Sequence, residues 1–212
     1  VRVVALTDED DFEGWRDAAR SLAQAGVLAS EVVWQVGDAP ADLFGDEAIT
    51  PPVAPRTLKV PRAFLDLAQS VVLHADPERF ALLYALLASD SRRTDDQADP
   101  LVRRLEGMAR EVRRDIHKMR AFVRFREVED DVGARYVAWF EPEHHIVRAN
   151  ARFFVERFAN MRWSILTPNA RCIGTARRSP RDRGRARRTR RGPIRSRMSG
   201  RPITPRPSIP RG

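Results

Sequence analysis

A chain of 212 residues, 42% of them hydrophobic, can bury one substantial core and a small second unit, and its formal net charge of +9 points at face value to a polyanionic partner. The single cysteine, Cys172, excludes an internal disulfide or a cysteine-based metal site and fits a reducing, cytoplasmic setting. No apolar run approaches the roughly 18 residues of a membrane span, and "VRVVALTDEDDF" lacks the layout of a signal peptide, so a soluble protein is expected.

"VRVVAL" is a β-branched run that predicts a strand, and "TDEDDFEGWRDAARSLAQAG" predicts a helix with acidic residues in its first turn and Gly26 at its end. Phe12, Trp15, Ala19, Leu22 and Ala23 form its apolar stripe. "EVVWQV" reads as a second strand. From Gly37 to Pro61 prolines cluster and periodicity disappears, which predicts a surface linker.

Three helices follow. Pro61, Asp76 with Pro77, and Asp99 with Pro100 each place a starting signal before an apolar-periodic segment. In the third and longest, Leu101, Leu105, Met108, Val112, Ile116 and Met119 recur every three or four residues. "FVRFREVEDDVGARYVAWFE" alternates around an Asp-Asp-Val-Gly turn, a hairpin signature. "HIVRANARFFVERFANM" predicts a last helix and leads into "RWSILTP". The expected class is α+β: a mainly helical domain with a small sheet built from the N-terminal strands and the hairpin, followed by a disordered C-terminal tail.

The charge is divided unevenly. Residues 1–168 carry 23 basic and 28 acidic side chains, and residues 169–212 carry 15 and 1. The second segment has no lysine and no Leu, Val, Phe, Tyr or Trp, so it cannot build a core. One reading is a phosphate-binding arm. The other is out-of-frame translation of GC-rich DNA, which turns Ala, Gly and Pro codons into Arg, Pro and Ser codons. Codons shifted by one base from Asn169 onward permit "RSVHWDG", a globular-looking continuation, so the boundary after Pro168 is read as a lost frame.

The long helix carries the strongest constellation. Arg110, Arg113, Arg114, His117 and Lys118 leave much of its surface cationic, and Arg124 and Arg126 continue the charge beyond it. Such side chains can follow a nucleic-acid backbone, or they can be a solvated face neutralised by Glu106, Glu111 and Asp115. "WFEPEHHI" offers Glu141, Glu143, His144 and His145 for acid-base chemistry, with His117 as the partner that would complete a site; the alternative is a cap and turn. No metal site is expected, because adjacent histidines diverge and the i,i+4 pair of a metalloprotease is missing. Trp163, beside Arg162, is the aromatic residue expected to stack on bases; most other aromatics are assigned to the core. No phosphate loop, dinucleotide motif or nucleophile elbow is present, and no cofactor is expected.

Taken together, "RDIHKMRAFVRFRE", "WFEPEHHI" and "MRWSILTP" resemble a bacterial domain family of unknown function described as DNA-metabolism proteins. The resemblance covers roughly residues 1–168. Its members occur beside a radical-SAM protein assigned to DNA repair or modification, or N-terminal to UdgX-type uracil-DNA glycosylases, and a segment like "RSVHWDG" follows their "RWSILTP". The resemblance therefore implies a DNA-repair-associated accessory domain that binds DNA or docks to one of those enzymes. The glycosylase's own motifs are absent from this chain. An enzyme using His117 with Glu141 or His144 and a protein adaptor without DNA affinity stand as alternatives.

Overall fold

Aspartates open three of the helices. Asp11 accepts the Gly14 N–H at 2.8 Å, Asp76 that of Glu78 at 2.8 Å and Asp99 that of Leu101 at 2.8 Å, each satisfying a donor that a helix start leaves unpaired. The computed structural model describes residues 1–37, 58–90, 96, 98–168 and 171–174. They form strand β1 (Arg2–Leu6), helix α1 (Phe12–Gln24), β2 (Val32–Val36), α2 (Arg62–Val71), α3 (Arg79–Asp90), α4 (Pro100–Phe122), β3 (Arg126–Asp130), β4 (Gly133–Trp139), α5 (Val147–Arg157), β5 (Trp163–Leu166) and β6 (Arg171–Gly174). The α+β class is the one expected.

The strands lie in two sheets rather than one. β1 and β2 are parallel and joined across α1, while β3-β4-β5-β6 forms a separate four-stranded sheet. In the second sheet the predicted hairpin β3-β4 is extended by β5, parallel to β4 and connected through α5, and by the antiparallel β6. β6 lies beyond Pro168, so ordered structure crosses the expected domain boundary. Most of the expected linker, the polar residues 91–95 and the arginine-rich residues 175–212 lie outside the described residues. The linker's last residues, Leu58 and Val60, pack against the core.

Helix α4 is the spine. Val102, Leu105, Met108 and Ala109 pack with Trp15, Phe64, Phe80 and Tyr84 in one apolar cluster, while Val112 and Met119 pack with Ile146, Phe154, Trp163 and Ile165 in another. Each such large side chain taken from water stabilises the fold by roughly 1.5–3 kcal/mol. Arg79 is buried yet satisfied: its guanidinium donates to the carbonyls of Val72, Asp76 and Glu9 and pairs with the Glu9 carboxylate. Among the described residues, no helix is long and apolar enough to cross a membrane.

Candidate functional site

Because α4 buries Val102, Leu105, Met108, Ala109, Val112, Asp115 and Met119 along one side of its 23 residues, the other side is left to charged side chains. Arg110, Arg113, Arg114, His117 and Lys118 line one groove there, together with Gly107 and Glu111.

The cations differ in how tightly they are held. Arg113 has no ion-pair partner among the described residues, and neither does Arg103 at the other end of the face. Arg110 reaches Glu106 only at 3.7 Å and Arg114 reaches Glu111 only at 4.0 Å. Lys118 is more firmly engaged, 2.7 Å from Glu143, and this contact holds the Glu143 carboxyl below its ordinary range. Arg124 turns back to donate to the carbonyls of Ala121 and Val123 at 2.7 and 3.1 Å, closing the C-terminal end of α4. Arg126 begins β3 and is exposed.

Beside the groove the loop after α2 meets α4 and the loop after β4. His74 Nε2 lies 3.0 Å from Glu111 Oε2, and the His74 and His144 rings pack with centroids 4.3 Å apart and planes tilted by 31°. The buried carboxylate of Asp115 accepts the consecutive N–H groups of Glu143 at 2.9 Å and His144 at 3.0 Å. Three chain segments are thus clasped at one point. Burial raises the Asp115 carboxyl above its ordinary value, the hydrogen bond from His74 lowers that of Glu111, and burial with the adjacent His74 ring lowers the His144 imidazole.

His74, Glu111 and His144 have the composition of a two-histidine, one-carboxylate cation site, with candidate ligand atoms within 4.8 Å of one another. The ring hydrogen bonds oppose that use. Nδ1 of His74 accepts the N–H of Asp76 at 3.0 Å, and Nδ1 of His144 accepts the N–H of Ala75 at 3.2 Å. A neutral ring that accepts at Nδ1 carries its proton on Nε2, so the Nε2 lone pair that a metal needs is occupied. As arranged, the cluster is a pair of Nε2–H donors, one of which serves Glu111.

The candidates His117, Glu141 and His144 are therefore not brought together. His117 lies on the exposed groove face with no partner among the described residues, Glu141 accepts the Trp139 indole N–H at 2.9 Å, and His144 packs on His74. The histidine that reaches "EPEHH" is His74, from "VVLHADP", which sequence reasoning passed over. Its signal was scarcity, since the chain has four histidines. Trp163 also departs from expectation: it is 1% exposed and packs on Phe125 and Phe154, so no base can stack on it. Among the described residues the exposed aromatics are instead Trp139, 57% exposed, and Phe122, 65% exposed.

A family model described as a domain of unknown function, DUF4130, matches residues 77–192. Glu111, Asp115 and His144 fall inside the match, and His74 lies just before it. No curated protein and no solved structure matches the chain.

Proposed function

The chain belongs to the DUF4130 family of domains of unknown function, and we propose that it provides a DNA-repair-associated accessory domain that binds nucleic acid along the exposed face of α4. What carries the reading is the state of the arginines. Arg113 lacks an acidic partner among the described residues, and the ion pairs of Arg110 and Arg114 are long, 3.7 and 4.0 Å, with Glu143 a further carboxylate in the field of Arg114, all three arginines in one groove. Exposed pairs at such distances are worth little, so these guanidinium groups give up little when a phosphate replaces the carboxylate, and counterion release favours the exchange. Contacts of this kind position a backbone without reading its bases.

Docking to a uracil-DNA glycosylase domain or a radical-SAM repair protein, in a cytoplasmic setting, belongs to the same proposal. The test is DNA affinity of the full chain against Arg113→Glu/Arg114→Glu, because truncation after Pro168 would remove β6. About tenfold weaker binding at low salt is expected; unchanged affinity rejects the α4 contact, and no DNA affinity in either protein favours the adaptor alternative.

One observation favours an enzyme acting on damaged DNA or nucleotides. Glu111 lines the groove and also faces the His74 Nε2–H at 3.0 Å, so a potential acid-base pair borders the place assigned to the backbone. Under this reading His74→Ala retains DNA binding and loses turnover. Turnover equal to that of the parent rejects it.

A further inference from the structure

The two faces of the β3-β4-β5-β6 sheet differ. Tyr136 and Ala138 of β4 and Trp163 and Ile165 of β5 point into the core. Side chains alternate along a strand and paired residues share a face, so Trp139, Val137 and Arg135 lie on the opposite side, along with Val128 and Arg126 of β3 and Ile173 of β6. There Trp139 presents a largely exposed ring, and Val128 and Ile173 are about half exposed.

Two features select what this face takes. Arg126 has no partner among the described residues, and Arg135 donates to the Ser164 hydroxyl at 2.7 Å while lying near enough to Asp130 to help lower that carboxyl, so the two guanidinium groups flank the apolar surface without a direct ion pair to a carboxylate. The indole is oriented by its N–H bond to Glu141 while 57% of the residue stays exposed to solvent. The chain from Trp139 also runs directly to Glu143, which is paired with Lys118 of the α4 groove. A strand laid along the groove would therefore leave it beside the segment that carries Trp139.

We propose that this sheet face is a stacking platform for single-stranded nucleic acid, with Trp139 under an unpaired base and Arg126 and Arg135 at the adjoining phosphates. It rests on the nucleic-acid reading of α4 and adds the preferred form, unpaired rather than duplex. Every base has a π-face, so the platform accepts different sequences. An acidic peptide would satisfy the arginines but leave the indole without a planar partner.

The test is intrinsic tryptophan fluorescence of the full chain titrated with oligo(dT), a duplex of equal length and polyglutamate. Trp15 and Trp163 are buried, Trp34 is partly buried and residues 169–212 contain no tryptophan, so quenching reports chiefly on Trp139. Oligo(dT) is expected to quench more than the duplex, and polyglutamate not at all. Trp139→Ala should abolish the quenching and weaken oligo(dT) binding about tenfold, while Trp139→Phe restores most of the affinity and the circular dichroism of both variants matches the parent. Oligo(dT) affinity unchanged in Trp139→Ala, or equal quenching by polyglutamate, overturns the platform. If Arg113→Glu/Arg114→Glu weakens DNA binding while Trp139→Ala does not, the platform falls and the α4 reading survives; if neither substitution matters, both fall.

Discussion

His74 and His144 pack against each other with their ring centroids 4.3 Å apart and their planes tilted by 31°, and their Nδ1 atoms accept the N–H groups of Asp76 and Ala75 respectively. Burial and the adjacent His74 ring disfavour a charge on the His144 imidazole. A proton added to Nδ1 of His144 would meet the Ala75 N–H head-on. This arrangement fixes several measurable properties.

Acid should loosen the fold before its carboxylates titrate. Burial lowers the His144 and His145 imidazoles below the ordinary value near 6.5. Between that value and the lowered one, the unfolded chain binds more protons than the folded chain, so stability falls as pH falls through this window. His144 faces His74 from the α2-α3 loop and Asp115 and Glu111 from α4, beside its own neighbour Glu143; His145 faces Arg79, Glu9 and Asp10. Asp115, raised by burial, works in the opposite sense in the carboxylate range. The thermal midpoint should drop between pH 7 and 5, and His144→Gln should flatten the profile. A profile equally steep in the variant would remove His144 from the account.

Zinc should bind the His74–Glu111–His144 trio poorly. Coordination through Nε2 requires the proton to move to Nδ1 on both rings and breaks both N–H···Nδ1 bonds. Equilibrium dialysis at neutral pH is expected to show no stoichiometric Zn²⁺ lost on His74→Ala. Retention of one tightly held ion by the parent and none by that variant would reverse the tautomer argument.

Salt dependence should count the phosphate contacts of α4. Each arginine that meets a phosphate contributes about 0.9 to the slope of log K against log salt on duplex DNA. Arg113→Gln should therefore lower the slope's magnitude by about one. Glu143→Gln frees Lys118 from its 2.7 Å partner and should strengthen binding about twofold at low salt only. Identical slopes for parent and Arg113→Gln would place Arg113 off the DNA.

The second core cluster should depend on the contact between Trp163 and Gly174. The indole occupies the space that a Cβ on Gly174 would need. Gly174→Ala should force the ring aside and lower stability by about 1–3 kcal/mol, and Trp163→Ala should cost about 3–5 kcal/mol. Urea denaturation measures both; a Gly174→Ala protein as stable as the parent would mean β6 does not hold this register.

The gene should encode a different continuation after Pro168. A frame shifted by one base near Asn169 is expected to read Arg-Ser-Val-His-Trp-Asp-Gly and then continue without a stop. Nucleotide sequencing of the locus decides this, and a stop codon shortly after the shift would return residues 169–212 to the reading of a selected arginine-rich arm.

Much of this fold is written in local chemistry. Asp11, Asp76 and Asp99 announce helix starts because a carboxylate can take an unpaired N–H wherever the helix is placed. The apolar period of α4 determines which arginines face outward, since burial of one stripe leaves the other exposed. The cationic face from Arg110 to Lys118 is therefore legible in the sequence, and the groove it lines is not.

Other features depend on segments far apart in the chain. Whether "RWSIL" extends the hairpin sheet, which buries Trp163 and exposes Trp139, depends on strand pairing between residues 133–139 and 163–166. His74 meets His144 across 70 residues because α2, α4 and the loop after β4 pack at one place. Sequence by itself determined the elements and the charge of their surfaces, because capping and periodicity act over a few residues. Only the tertiary structure decided which histidines meet, where their protons sit and which tryptophan faces solvent, because these follow from packing and pairing over long separations.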